Sequence, residues 1–158
     1  MICFFDTNVL VYALDSHEVH KQALAIACFS RAIHEHTVTL STQVLQEFYS
    51  ITTRKLRPAL TAAEAEQRVR HLGAFDVMGH GSQHIIAAIE LVQKHQLQWW
   101  DALILEAALR AKAEGMPVIA VTSLQHSSAV TSKHPCGKRL FEVADVVIPF
   151  AVQRGIAE

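Results

Sequence analysis

The sequence predicts an α/β fold in which a parallel sheet of four or five strands carries helices on both faces. Apolar runs without alternation, the first at residues 2–5, are typical of strands buried on both sides. Segments with helical spacing alternate with those runs, as in strand–helix–strand units. The chain has 158 residues, of which 51% are hydrophobic, so we expect a single domain over residues 1–158.

The first half of the chain alternates strand and helix patterns. After the opening strand, the segment at 16–36 has a helical pattern with Ser16 as N-cap; its regularly spaced positions are Ala23, Ile26, Ala27, Ser30 and Ile33. "TVTLS" predicts a short strand, and "TQVLQEFYSITTRK" predicts a helix whose inward residues are Val44, Leu45, Phe48 and Ile51. Thr61 with Glu64 predicts a capping box at the start of the next helix.

The second half continues the alternation. Residues 75–78 form a possible third strand, Ser82 opens a helix, and "WWDALILEAALRAKAEG" is an apolar helix that ends at Gly115. "MPVIAVTS" predicts a fourth strand and "DVVIPF" a possible fifth. No repeat or linker interrupts this order, which agrees with one domain.

Composition narrows the classes of protein. Fourteen basic residues against fifteen acids give no global positive field, so a nucleic acid would have to meet a local patch. No apolar stretch reaches the roughly 18 residues of a membrane span, so we expect a soluble, cytoplasmic protein without a membrane partner. Cys3, Cys28 and Cys136 lack a CxxC spacing, which favours reduced thiols. The ten histidines lack the spacing of a metal motif.

Three acids are candidates for chemistry at one edge of the sheet. In an open parallel sheet, ligands bind beyond the carboxyl ends of the strands. Asp6 ends the first strand, Glu47 lies early in the helix after the second, and Asp101 begins an apolar helix that we expect to be buried. A buried carboxylate costs several kcal/mol unless it is paired or binds a cation. With no Arg or Lys near them in sequence, the three acids indicate a site for a hard divalent cation.

Each acid also has a simpler interpretation. Asp6 could cap a helix that starts at Thr7, Glu47 could be a solvated helix residue, and Asp101 could be a helix N-cap. Glu106 is expected on the surface, because five residues separate it from Asp101 and place it about 140° around the helix.

Two further groups of side chains have alternative interpretations. Trp99 and Trp100 could stack on bases, but aromatic residues at the start of a helix more often anchor the core, and we favour that interpretation. Arg54, Lys55 and Arg57 could contact phosphates, or could simply be a solvated helix end. No G-x-S-x-G motif indicates a serine nucleophile.

Three segments, "FFDTNVLVYALD", "STQVLQEFYSITTRK" and "WWDALILEAAL", resemble the acidic motifs of the PIN domain family, especially the ribonuclease toxins of type II toxin–antitoxin pairs. The resemblance extends from Phe4 to about Gln125. It implies a three-layer Rossmann-like fold and a metal-dependent endoribonuclease that uses Mg²⁺ or Mn²⁺. It also implies that Asp6, Glu47 and Asp101 are catalytic metal ligands, supported by Thr7 and Asn8. The implied partners are RNA, a cognate antitoxin and a second copy in a homodimer.

One position departs from the family pattern. The family places a further acid just after the fourth strand, where this chain has "AVTSLQHSS" with Ser123 or Thr122 in that place. Ser123 would then be a neutral supporting residue, unless Glu142 or Asp145 supplies the missing carboxylate. The alternative to an active ribonuclease is therefore a catalytically weakened PIN domain that binds RNA or a protein.

Overall fold

Five short parallel strands organise the chain in this computed structural model, which describes residues 3–97, 99–116, 119–122 and 146–149, the last two segments by backbone only. Strands β1 (Cys3–Phe4), β2 (Val38–Ser41) and β3 (Asp76–Met78) pair in that order, with Cys3 opposite Val38 and Ser41 opposite Met78. Strands β4 (Ile119–Thr122) and β5 (Val146–Pro149) form a second parallel pair. The predicted parallel α/β architecture is confirmed, although the five strands group as three plus two within the described segments.

Six helices connect and flank these strands. They are α1 (Thr7–Tyr12), α2 (Val19–His34), α3 (Thr42–Arg54), α4 (Ala62–Leu72), α5 (Ser82–His95) and α6 (Trp99–Ala113). The predicted capping box of α4 is present: the backbone N–H of Thr61 donates to Glu64 Oε2 (2.8 Å), and the N–H of Glu64 donates to Thr61 Oγ1 (3.2 Å). Gly115 follows α6 with φ of 83°, a left-handed conformation that glycine adopts without strain. Within the described part of the chain, none of the helices is both long and apolar enough to cross a bilayer.

The main core lies between the three-stranded sheet and the helices around it. Leu40 on β2 and Val44 on α3 are fully buried, and Phe48 is nearly so. Leu45 and Ile51 are half-buried, so the predicted inward face of α3 is confirmed at its centre and not at its margins. Phe29 on α2 makes edge-on ring contacts with Phe5 and Phe75, at centroid distances of 5.3 and 5.8 Å. These contacts fix the end of β1, and therefore Asp6, against the body of the domain.

Helix α2 differs from its prediction at both its start and its face. The N-cap residue is Glu18 and not Ser16, because the N–H of His17 already bonds to Asp15 Oδ1 in a turn that delays the helix. The five spaced positions predicted for the apolar face are all exposed, whereas Ala25 and Ala32 are buried. Small side chains permit α2 to lie close to its neighbours, so alanines occupy the contact and the isoleucines face outward.

Candidate functional site

Asp6 stands at the carboxyl end of β1 and is at the same time the N-cap residue of α1. Its Oδ1 accepts a hydrogen bond from the Thr7 backbone N–H (2.7 Å), and its Oδ2 accepts one from the Asn8 side-chain amide (2.9 Å). The capping interpretation of Asp6 is therefore confirmed. It is compatible with a second function, because each carboxylate oxygen still has a free lone pair.

Glu47 is joined to the same place through Thr7. Ser41 ends β2 and caps α3, its Oγ accepting from the Val44 N–H (3.3 Å), so α3 begins directly at the carboxyl end of the sheet. Two turns into α3, Glu47 Oε2 accepts a hydrogen bond from the buried Thr7 hydroxyl (2.8 Å). Glu47 is therefore half-buried and hydrogen-bonded, and the simpler interpretation as a solvated helix residue is wrong.

Asp101 lies in the first turn of α6, and the expectation that it is buried is wrong. It is exposed, because α6 enters the core only from Ala102 and Leu103 onward. It is the third residue of the helix and so is not its N-cap. The helix dipole favours a carboxylate at this place.

The three acids interact electrostatically. Burial raises the pKa of Asp6, against the lowering effect of the hydrogen bonds from Thr7 and Asn8, and the charge of Asp101 raises it further. Burial likewise raises the pKa of Glu47, and the charges of Asp6 and Asp101 add to that rise, while the Thr7 hydroxyl and Lys55 oppose it. None of the ion pairs between described residues involves these acids. As far as the described residues show, no ion pair balances the negative charge at this edge of the sheet.

The donor chemistry of this edge fits a hard divalent cation. Carboxylate oxygens are the preferred ligands of Mg²⁺ and Mn²⁺ in proteins. In the part of the chain that the structure describes, however, no three His, Cys, Asp or Glu side chains are gathered closely enough to hold an ion. Ser123, Glu142 and Asp145, the candidates for a fourth ligand, lie outside the described residues. The roles of Asp6, Glu47 and Asp101 as metal ligands, and of Thr7 and Asn8 as their supports, stay predictions.

A buried polar cluster between α3 and α6 is a feature that the sequence patterns do not predict. Glu106 was expected on the surface, yet it is 7% exposed, with Arg110 Nε at 3.4 Å from its Oε1 and His80 Nε2 at 3.7 Å from its Oε2. His80 Nδ1 lies 3.0 Å from the Thr42 hydroxyl, and Arg110 Nη1 donates to the Gly79 carbonyl (3.0 Å). The cluster joins the start of α3 to α6, the two helices that carry Glu47 and Asp101.

The sequence holds a signal for only part of this cluster. Glu106 and Arg110 are four residues apart, a spacing at which opposite charges pair along a helix. His80 comes from the segment after β3, and only the folded chain brings it to Glu106. Burial lowers the pKa of His80, while the charge of Glu106 and a hydrogen bond with the Leu103 backbone oppose that effect.

The two remaining candidate groups are both accessible. The preferred core interpretation of the tryptophans is wrong, because Trp99 is 37% and Trp100 is 47% exposed. Arg54, Lys55 and Arg57 are exposed at and just beyond the end of α3. Arg57 donates to the Arg54 and Leu56 carbonyls, which holds the cluster together.

Comparison with known proteins identifies the family of this chain. The sequence model of the PIN domain matches residues 3–123, a range that includes all three acids. The chain belongs to the PIN domain family. Among solved structures, this PIN domain is similar to Mycobacterium tuberculosis VapC20, described as a Sarcin-Ricin loop cleaving toxin. That likeness has a TM-score of 0.58 and 15% identity, over 80% of this chain and 94% of VapC20.

Two further similarities extend the comparison. VapBC2 from Rickettsia felis, solved with a DNA fragment from its promoter, has a TM-score of 0.54 and 15% identity, over 96% of this chain and 100% of that one. A UPF0309 protein of Oceanobacillus iheyensis is 46% identical over 54 residues, which are 34% of this PIN-domain chain and 22% of the relative. The chain thus spans about a fifth of the length of the curated relatives it matches. The structural likenesses establish the fold of this PIN domain.

Proposed function

We propose that this PIN domain is a divalent-metal-dependent endoribonuclease whose catalytic residues are Asp6, Glu47 and Asp101. The observation that carries the proposal is the electrostatic interaction of the three acids at the carboxyl edge of the sheet. Asp6 and Glu47 are in addition connected by hydrogen bonds from Thr7. Parallel sheets bind their ligands at this edge. Among the described residues the three acids have no ion-pair partner, which favours a cation at this edge, and a cation in turn favours a phosphodiester substrate.

The chemistry requires little else from the protein. Mg²⁺ or Mn²⁺, when bound by these acids, would supply an activated water and neutralise charge on the scissile phosphate. The chain's own residues orient the donors: the Thr7 N–H and the Asn8 amide hold the two oxygens of Asp6, and the Thr7 hydroxyl holds Glu47. No side-chain nucleophile is needed. The exposed Arg54, Lys55 and Arg57 would attract the RNA backbone beside Glu47.

The proposal extends to the role of the protein as the toxin of a toxin–antitoxin pair. Its support is the fold shared with VapC20, together with the acids at the sheet edge. An antitoxin segment would occupy the acidic edge through a basic residue, since carboxylates attract a cationic side chain. A second copy of the chain is the other proposed partner, in a homodimer.

The test is cleavage of single-stranded RNA by the purified protein, with Mn²⁺ and with a chelator in its place. We expect cleavage with Mn²⁺ only, and its loss in Asp6→Asn, which keeps both the shape of the side chain and its capping ability. The matched control is Asp15→Asn, an acid in the turn before α2 and away from the sheet edge. Cleavage that survives in the chelator, or in Asp6→Asn, would contradict the proposal.

The second candidate is a PIN domain that binds RNA or a protein without cutting it. The observation in its favour is Ser123 in place of the family's fourth acid, since a hydroxyl is a weaker ligand than a carboxylate. RNA binding that Mn²⁺ strengthens, with no cleaved product under any condition, would support this candidate over the ribonuclease.

A further inference from the structure

Two adjacent tryptophans stand at the start of the helix that carries Asp101. Trp99 and Trp100 are the first two residues of α6 and Asp101 is the third. With exposed fractions of 37% and 47%, each residue leaves on the order of 100 Å² of its surface accessible, given that a Trp can bury up to about 250 Å². So large an aromatic surface at one point is unusual for side chains that serve only the core.

The helix itself explains why these rings project. Ala102 and Leu103, three and four residues after Trp99, are buried in a small apolar cluster with Ala88 of α5. Residues at this spacing share one side of a helix. Trp99 therefore lies on the same side of α6 as these buried residues, but at the end of the helix, where α5 no longer covers that side.

The position of the two rings relates them to the acidic edge. Asp101 follows Trp100 directly in the first turn of α6, and α6 packs against α3, the helix that carries Glu47. The basic residues Arg54 and Lys55 stand at the end of α3. Two helices in contact therefore carry the aromatic surface, two of the acids and the basic residues.

This combination matches one class of ligand. Single-stranded nucleic acids bind where basic side chains attract the backbone and exposed aromatic rings stack on bases. A duplex keeps its bases stacked on one another and offers no free face to a protein ring. We propose that Trp99 and Trp100 form a stacking platform for unpaired bases. The choice of RNA as the nucleic acid rests on the proposed ribonuclease function.

The chain offers a direct readout, because Trp99 and Trp100 are its two tryptophans. Tryptophan emission is recorded in a chelator while a short single-stranded RNA of mixed sequence is added, and then with the same RNA annealed to its complement. We expect quenching by the single strand and much weaker quenching by the duplex. Emission that stays constant while a labelled form of the RNA binds would overturn the platform, as would equal quenching by the duplex.

Substitutions separate stacking from mere apolar contact. Trp100→Leu keeps an apolar side chain but cannot stack, and it should weaken single-strand binding roughly fivefold or more. Trp100→Phe keeps a stacking ring and should bind within about twofold of the wild type. The matched control is Ile26→Ala, at an exposed apolar residue of α2. If Trp100→Leu and Trp100→Phe bind RNA equally well, stacking is excluded even if one variant is less stable.

Cleavage kinetics distinguish failure of the platform from failure of the proposed function. Trp100→Leu should raise KM with little change in kcat, because the bases it would hold are not the reacting atoms. Asp101→Asn should abolish cleavage and keep the quenching. Quenching without cleavage in the wild type would support the stacking platform and contradict the ribonuclease function. Cleavage without quenching would support the ribonuclease function and contradict the platform. Emission that changes with protein concentration alone would assign the tryptophans to contact with a second copy and overturn the inference.

Discussion

Asp6 serves the fold and the proposed chemistry through the same carboxylate. As N-cap of α1 it stabilises the helix, and replacement of a capping residue by alanine typically costs about 1 kcal/mol. As a desolvated acid beside Glu47 and Asp101 it destabilises the protein when no cation is bound. The two contributions have opposite signs, so a substitution that keeps the cap and removes the charge can separate them.

We predict that Asp6→Asn stabilises the metal-free protein at neutral pH by a few tenths to about 1 kcal/mol. Asparagine caps as well as aspartate and carries no charge to desolvate. Asp6→Ala should instead be less stable than Asp6→Asn by about 1 kcal/mol. Urea unfolding in a chelator measures both. An Asp6→Asn protein less stable than the wild type would show that the Asp6 charge has a favourable partner in the folded chain.

The pH dependence of the free energy of unfolding tests the same comparison independently. The pKa values of Asp6 and Glu47 are raised in the folded protein, so the folded state binds more protons than the unfolded state in that range. The favourable contribution of these two groups is complete below their unfolded pKa values, near pH 4, and is lost as the pH rises through the folded values. In the chelator, the wild type should therefore lose more stability over this rise in pH than Asp6→Asn does.

The buried polar cluster between α3 and α6 predicts a second effect of pH on stability. Glu106 and Arg110 on α6 face His80 across the interface, His84 of α5 adds a further repulsion, and the Thr42 hydroxyl contacts the other ring nitrogen. Because burial lowers the pKa of His80, the unfolded chain takes up a proton that the folded chain resists. Stability is then lost as the pH falls below the unfolded value of about 6.5, by about 1.4 kcal/mol for each unit of pKa shift.

We predict that His80→Gln removes much of this acid sensitivity. The measurement is the free energy of unfolding from neutral pH down to about pH 5, within which an ordinary histidine titrates. His71→Gln, at an exposed histidine of α4, is the control and should follow the wild type. Parallel curves for the wild type and His80→Gln would mean that His80 is charged in the folded protein.

Sequence patterns predicted which strands and helices form more reliably than which of their faces are buried. Every predicted strand is present, and the cap of α4 and the stop after α6 follow from local rules that Thr61, Glu64 and Gly115 satisfy alone. The buried side of α2 was missed because Ala25 and Ala32 are chosen by how closely a neighbour approaches, which no local pattern records. Glu106 was missed for the same reason, since His80 reaches it only in the folded chain.

The positions of the candidate residues at the sheet edge were more predictable than their burial and contacts. The link from Thr7 to Glu47 crosses forty positions and follows from the topology, because β1 and β2 end side by side. The exposure of Asp101 did not follow from the apolar residues after it, since burial of α6 begins one residue later. Periodicity describes a helix well but does not locate the point at which it enters the core.

The charge balance of the chain bears on its behaviour in a cell. With a net charge of −1, RNA attraction depends on local groups and not on a global field.

If the proposed toxin role holds, expression of the chain alone should slow the growth of its host, and Asp6→Asn should restore growth at equal protein level. Growth curves with matched immunoblots measure this. Harmless expression of the wild type at high level would favour the weakened binding module.

The most direct test of the account is the position of a bound metal in the folded molecule. Crystals of the full chain soaked in Mn²⁺ and measured near the manganese absorption edge would locate the ion by its anomalous signal. The account predicts one strong peak at the carboxyl edge of β1 and β2, within ligand distance of carboxylate oxygens of Asp6 and Glu47 and on the side of Asp101. A peak confined to other acids, or no peak at a concentration of Mn²⁺ that supports cleavage, would contradict it.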